Sequence, residues 1–135
     1  MKEEVKEAKQ EAKEEQHVPL LVLARAVLWS RNDNSEGILR IIGDGSVLLK
    51  GHIDEKAVVT ILRRDGEPLL IFNGRVSKFR TQGHDYVVIH FPKRLMPMWQ
   101  VIAKERDEDG ALALQIALTG DKVKAKARVE KVKEG

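Results

Sequence analysis

From Gly37 onward the chain alternates short apolar runs with breaks rich in Gly, Asn and Asp, a rhythm that predicts short antiparallel strands. Residues 38–42 read as a strand, Gly43-Asp44-Gly45 as a turn, and 47–53 as the next strand, interrupted by Gly51. Residues 57–63 follow, and Asp65-Gly66 is a hairpin signal. A strand over 69–72 then reaches Asn73-Gly74, a second turn dipeptide. Residues 76–80 and 86–91 form a pair around Gly83-His84-Asp85. Beyond Pro92 the pattern predicts a short turn, an irregular Pro97-Met98-Trp99 segment because proline breaks a helix interior, and a strand over 100–104. Asp107-Glu108-Asp109-Gly110 reads as a turn and 111–118 as a strand.

The two ends of the chain carry their own patterns. Residues 2–16 favour helix, with Val5, Ala8 and Ala12 on one thin stripe, but an isolated helix of that length is marginal in water. Residues 19–29 read two ways. Pro19 and the Leu/Ala content suit the first turn of a helix, but an all-apolar helix must be fully buried. As a strand, Leu23, Arg25, Val27, Trp29 and Arg31 share one face, and Ala24, Ala26, Leu28 and Ser30 the other; this reading is preferred, with 32–37 as a loop. At the far end, Val123, Ala125, Ala127 and Val129 alternate with Lys122, Lys124, Lys126 and Arg128, a strand with one apolar and one cationic face. The fold class expected is mainly β (or α+β): a small antiparallel β sandwich or barrel. Residues 1–17 form a charged tail, helical or disordered, and 18–135 a single β-rich domain.

Composition narrows the chemistry. The chain is 42% apolar but only 4% aromatic, so its core is built of Val, Ile, Leu and Ala. It has no cysteine, which removes disulfides, thiolate metal sites and thiol catalysis. His17, His52, His84 and His90 form no metal-binding spacing, so no metal or other cofactor is expected. The charged share of 33%, with few Asn and Gln, resembles thermophile composition. Residues 1–16 carry four Lys and six Glu, leaving 20 cationic and 15 anionic side chains over 17–135, a balance of +5. That excess suits a nucleic-acid partner or an ordinary wet surface. No signal segment stands out, and the apolar 18–29 run is shorter than the roughly 20 residues a spanning helix needs, so a cytoplasmic chain without a membrane partner is expected.

No catalytic constellation emerges. Gly43-Asp44-Gly45 lacks the Lys and Ser/Thr of a phosphate loop, and no serine sits in a nucleophile motif. His52 near Asp54 is a candidate proton-transfer pair, although a strand-end histidine beside a charged turn is the simpler reading. The basic segment 74–95 is richer. It holds Arg75, Lys78, Arg80, Lys93 and Arg94 against one anion, Asp85. A basic hairpin can lie against a phosphate backbone; equally, such cations decorate the wet face of a sheet. His84 and Tyr86 can add polar or stacking contacts. Trp29, between Arg25 and Arg31, is a candidate stacking platform or a core residue. The Lys122, Lys124, Lys126, Arg128 row is a second cationic surface or a protected edge. Trp99 with Met96 and Met98 reads as packing or an oligomer contact.

Val76, Lys78, Arg80, Gly83, the apolar Tyr86-Val87-Val88-Ile89 and the closing Pro92-Lys93-Arg94-Leu95 resemble the swapped-hairpin AbrB family of DNA-binding regulators. The resemblance covers at most 74–118. It implies dimers of interleaved hairpins, with Lys78, Arg80, Lys93 and Arg94 at the DNA. Residues 96–104 depart from the family, lacking its glycine-marked turn and Gly-Asp, and 37–73 have no counterpart in a minimal member. The expected function is therefore non-enzymatic nucleic-acid binding, to DNA in a regulatory role, by a homo-oligomer. The alternative is a structural or assembly module that self-associates or takes a protein partner, with the N-terminal tail as a docking arm.

Overall fold

The computed structural model describes residues 20–31 and 35–120. Six strands follow the alternation of the sequence: β1 (Leu20–Ser30), β2 (Gly37–Ile42), β3 (Lys56–Leu62), β4 (Pro68–Thr81), β5 (His84–Phe91) and β6 (Ala111–Leu118). All neighbours are antiparallel, and the order β1-β2-β5-β4-β3-β6 closes on itself as a barrel. Closure gives every described strand a hydrogen-bonded neighbour on each side. It also fixes which face of each strand is dry. Val22, Ala24 and Ala26, Leu39 and Ile41, Val59 and Ile61, Val87 and Ile89, and Leu114 and Ile116 point inward and are buried. Each fully buried Val, Leu or Ile among them contributes about 1.5–3 kcal/mol of transfer free energy. The mainly β, antiparallel expectation holds, and the described part of the 19–29 stretch, residues 20–29, is strand.

Three local expectations fail. Residues 47–53 are not a strand. They belong to helix α1 (Asp44–Leu49) and the 3-10 turn Lys50–His52. Gly43 enters at φ 71, a conformation open to glycine, and the Ser46 hydroxyl donates to its carbonyl at 2.7 Å. Gly45 and Leu49, four apart, are then the buried positions, leaving Val47 and Leu48 in water. Asn73-Gly74 is not a turn either, because β4 runs straight through it. Its first half pairs with β3 and its second with β5, changing partner near Gly74. A Cβ there would sit 3.1 Å from Ile89 Cγ2 and 3.3 Å from Phe72 Cε2, so glycine lets the strand bend into the barrel. Residues 100–104, read as strand, lie mostly in helix α2 (Trp99–Ala103), reached through a 3-10 helix, Lys93–Met98, that absorbs Pro97. Trp99 and Ile102, three apart, enter the core. Trp99 packs edge-on against Phe91 at 5.1 Å, and Phe91 against Phe72 at 5.4 Å.

The Asp107 loop forms as expected. Its carboxylate accepts the Asp109 and Ala111 N–H groups at 2.8 and 3.1 Å, and Arg25 reaches it from β1 at 2.7 Å. Those bonds, Arg25's first and Ala111's next, hold the Asp107 carboxyl below its usual range. The tail 1–17, residues 32–34 of the expected loop, and the 122–129 strand with Lys122, Lys124, Lys126 and Arg128 lie outside the described residues. No described helix is long and apolar enough to cross a membrane.

Candidate nucleic-acid interface

Strand alternation decides where the hairpin cations go. Lys78 stands opposite Val87 and Arg80 opposite Asp85, so both project on the side of the hairpin that carries inward-facing Val76 and Val87. Arg75 falls on the other side, opposite Lys56, and donates to the Asp54 carbonyl. Arg80 also lies 3.9 Å from the Asp85 carboxylate. The five cations therefore do not form one ridge. Lys93 and Arg94 open the 3-10 helix beyond β5, and Lys93 Nζ lies 3.4 Å from Glu36.

The outer side of the same hairpin is aromatic. Phe79 and Tyr86 are direct cross-strand partners there. Trp29 of β1 meets Tyr86 edge-to-face at 5.4 Å and Phe79 at 6.2 Å. Arg40 of β2 completes the layer, its Cζ 4.3 Å from the Tyr86 ring centre and 5.1 Å from that of Trp29. Both are cation–π distances. Beneath them Val88, opposite Arg40 and Ser77, is fully buried on the outward side of β5. The Arg40 Nε is buried without a hydrogen-bond partner among the described residues. His84 extends the layer at 6.3 Å from Tyr86.

Beside this layer opens a pocket of about 360 Å³, walled by Trp29, Phe79 and Ile38 with Arg31, Glu36 and His90 at its rim. The volume falls in the lower part of the range for small-ligand sites, roughly 300–1,000 Å³. Glu36 bridges two cations, Arg31 at the rim, Nε at 3.1 Å, and Lys93 of the 3-10 helix, Nζ at 3.4 Å. Sequence reasoning had singled out Trp29, Tyr86, His84 and Lys93, which the fold brings to this outer surface. It missed Arg40, Phe79 and Glu36. An arginine inside the apolar run of residues 38–42 was the one available signal.

His52 pairs with Glu55 rather than Asp54, Nδ1 to Oε2 at 2.5 Å. Glu55, 6% exposed, is the one buried charged residue among those described. With Asp54 at φ 75 and its N–H on the Val76 carbonyl at 2.7 Å, the contact ties the 3-10 turn to the start of β3. Among the described residues no three His, Asp or Glu side chains converge as a metal site requires. Comparison of the chain with protein-family models, with curated proteins and with solved structures finds no match.

Proposed function

We propose that this barrel is a non-enzymatic binding module for single-stranded nucleic acid, held on the outer aromatic face of β1, β2, β5 and β4. The observation that carries the reading is the Trp29–Arg40–Tyr86–Phe79 layer opening onto the pocket beside Trp29. Stacking on aromatic side chains supplies about 1–3 kcal/mol per base and tolerates any sequence. An unpaired base enters the pocket beside Trp29 and Phe79 and stacks on its aromatic wall, while Arg31, Lys93 and Arg94 meet the neighbouring phosphates. The exposed Glu36 pairs are worth only about 0–1 kcal/mol, so a phosphate displaces that carboxylate at little cost. A duplex is the poorer ligand. Its bases are hidden, and its backbone needs cations along one surface, whereas Arg75 lies across the hairpin from Lys78 and Arg80.

Fluorescence anisotropy with a labelled oligothymidylate, and with a duplex of the same length, tests this. The single strand binds more tightly. With about three phosphate contacts and a slope near −0.7 for each, its affinity falls roughly tenfold to twentyfold between about 50 and 200 mM salt. Absence of binding at the lower salt, or equal affinity for the duplex, refutes the reading.

A further inference from the structure

Glu36 places a negative charge among the cations assigned to phosphate. Its pairs with Arg31 and Lys93 are exposed, so they add little to the stability of the fold. A surface that held nucleic acid by stacking and charge alone would gain nothing from this carboxylate, which repels every phosphate alike. Its position gives it another use. The Arg31 N–H donates to the Glu36 carbonyl at 3.1 Å and closes the neck of the β1–β2 loop. Two residues further on, Ile38 stands between Trp29 and His90 in one outward row across β1, β2 and β5. Positions two apart share a face, and Glu36 lines the same pocket as that row.

We infer that the pocket beside Trp29 takes a guanine base, read by the Glu36 carboxylate. This rests on the single-strand reading and narrows it to one base at one position of the strand. The pocket, about 360 Å³, has room for a purine. Among the four bases only guanine sets two donors side by side on its Watson–Crick edge, N1–H and the N2 amino group. A carboxylate has two oxygens and about four lone-pair sites, so Glu36 accepts both donors in a forked, charge-assisted pair while the base lies on the aromatic wall. Adenine and cytosine set a ring-nitrogen acceptor beside the amino group, and thymine flanks its one N–H with two carbonyls. Each of them turns a lone pair towards the carboxylate and leaves an acceptor unpaired. Single-stranded nucleic acid is commonly read in this way, by stacking plus hydrogen bonds to an exposed Watson–Crick edge. The phosphate contacts assist: a phosphate that takes over Arg31 and Lys93 releases the carboxylate to the base.

Anisotropy titrations of a short oligothymidylate, and of the same strand with its central base replaced by guanine, adenine, cytosine or hypoxanthine, test this. The guanine strand binds at least about fivefold more tightly than the adenine strand, its equal in stacking area, and more tightly than the thymine and cytosine strands. Hypoxanthine, which keeps N1–H but lacks the amino group, loses most of that gain. Glu36→Gln, with an unchanged circular dichroism spectrum, still binds oligothymidylate but no longer prefers guanine, because its amide N–H₂ faces one of the two donors. If no strand binds, the single-strand reading falls and this inference with it. If oligothymidylate binds but guanine brings no gain, this inference alone falls. The same holds if hypoxanthine equals guanine, or if Glu36→Gln keeps the preference.

Discussion

Arg40 is the residue whose presence stability explains least. Its guanidinium lies over two rings, at 4.3 and 5.1 Å. Cation–π contacts are worth about 0.5–1 kcal/mol each at exposed sites and more when desolvated, so the pair contributes about 1–2 kcal/mol. Against this stands the buried Nε, which lacks a partner among the described residues. Leaving one such donor unpaired costs about 1–3 kcal/mol. The two terms nearly cancel. Arg40→Met keeps an apolar stem over Val88 and removes both terms, so the free energy of unfolding changes by less than about 1 kcal/mol, a difference of two comparable contributions. Urea denaturation followed by circular dichroism measures this. Oligothymidylate affinity, in contrast, falls at least fivefold, because the variant loses both a stacking plane and a charge beside the pocket. Destabilisation beyond about 2 kcal/mol would show that Arg40 serves the fold. Unchanged affinity in a stably folded variant would remove it from the binding surface. Either result refutes the reasoning.

Glu36→Gln frees Arg31 and Lys93 from their shared carboxylate, so single-strand affinity at low salt rises about threefold to tenfold and its salt dependence steepens, as anisotropy titrations will read. Gly37→Ala places a Cβ 2.6 Å from Trp99 Cζ3, and Phe91 leaves that ring little room to withdraw. The urea midpoint drops by the equivalent of about 1–3 kcal/mol, and pairing the change with Trp99→Leu costs less than the sum of the two. Asp107 has a folded-state pKa below its ordinary 3.8, so its contribution is complete above that value and lost as pH falls through the folded one. The melting-temperature gap between the wild type and Asp107→Asn therefore stays constant from about pH 8 to 5 and closes below the ordinary aspartate range near 3.9.

Much of the barrel was legible because closure buries one side of every strand, and burial of one side writes a period of two into the sequence. β3 and β6 show it plainly, with Val59 and Ile61 or Leu114 and Ile116 inside. The misread segments are those where another constraint outweighed that period. Residues 47–53 look like a strand, but only positions 45 and 49 of helix α1 are buried. Asn73-Gly74 has turn chemistry, yet the missing side chain answers crowding from Ile89 and Phe72, which belong to long-range pairing. Trp99 and Ile102 sit three apart, a helical signal masked by Pro97. The candidate interface was half visible. Trp29 and Tyr86 stood out as aromatics near cations. Nothing local says that β2 pairs with both β1 and β5, and that pairing alone brings Arg40 between them.

The account rests on bases stacking on the outer aromatic layer, and photochemical crosslinking locates them without altering the protein. A single-stranded oligonucleotide carrying 5-bromodeoxyuridine, irradiated with the full chain and digested for mass spectrometry, should attach to Trp29, Phe79 or Tyr86. Adducts confined to the Lys78–Arg80 side of the hairpin, or no adducts under conditions where anisotropy reports binding, would contradict it.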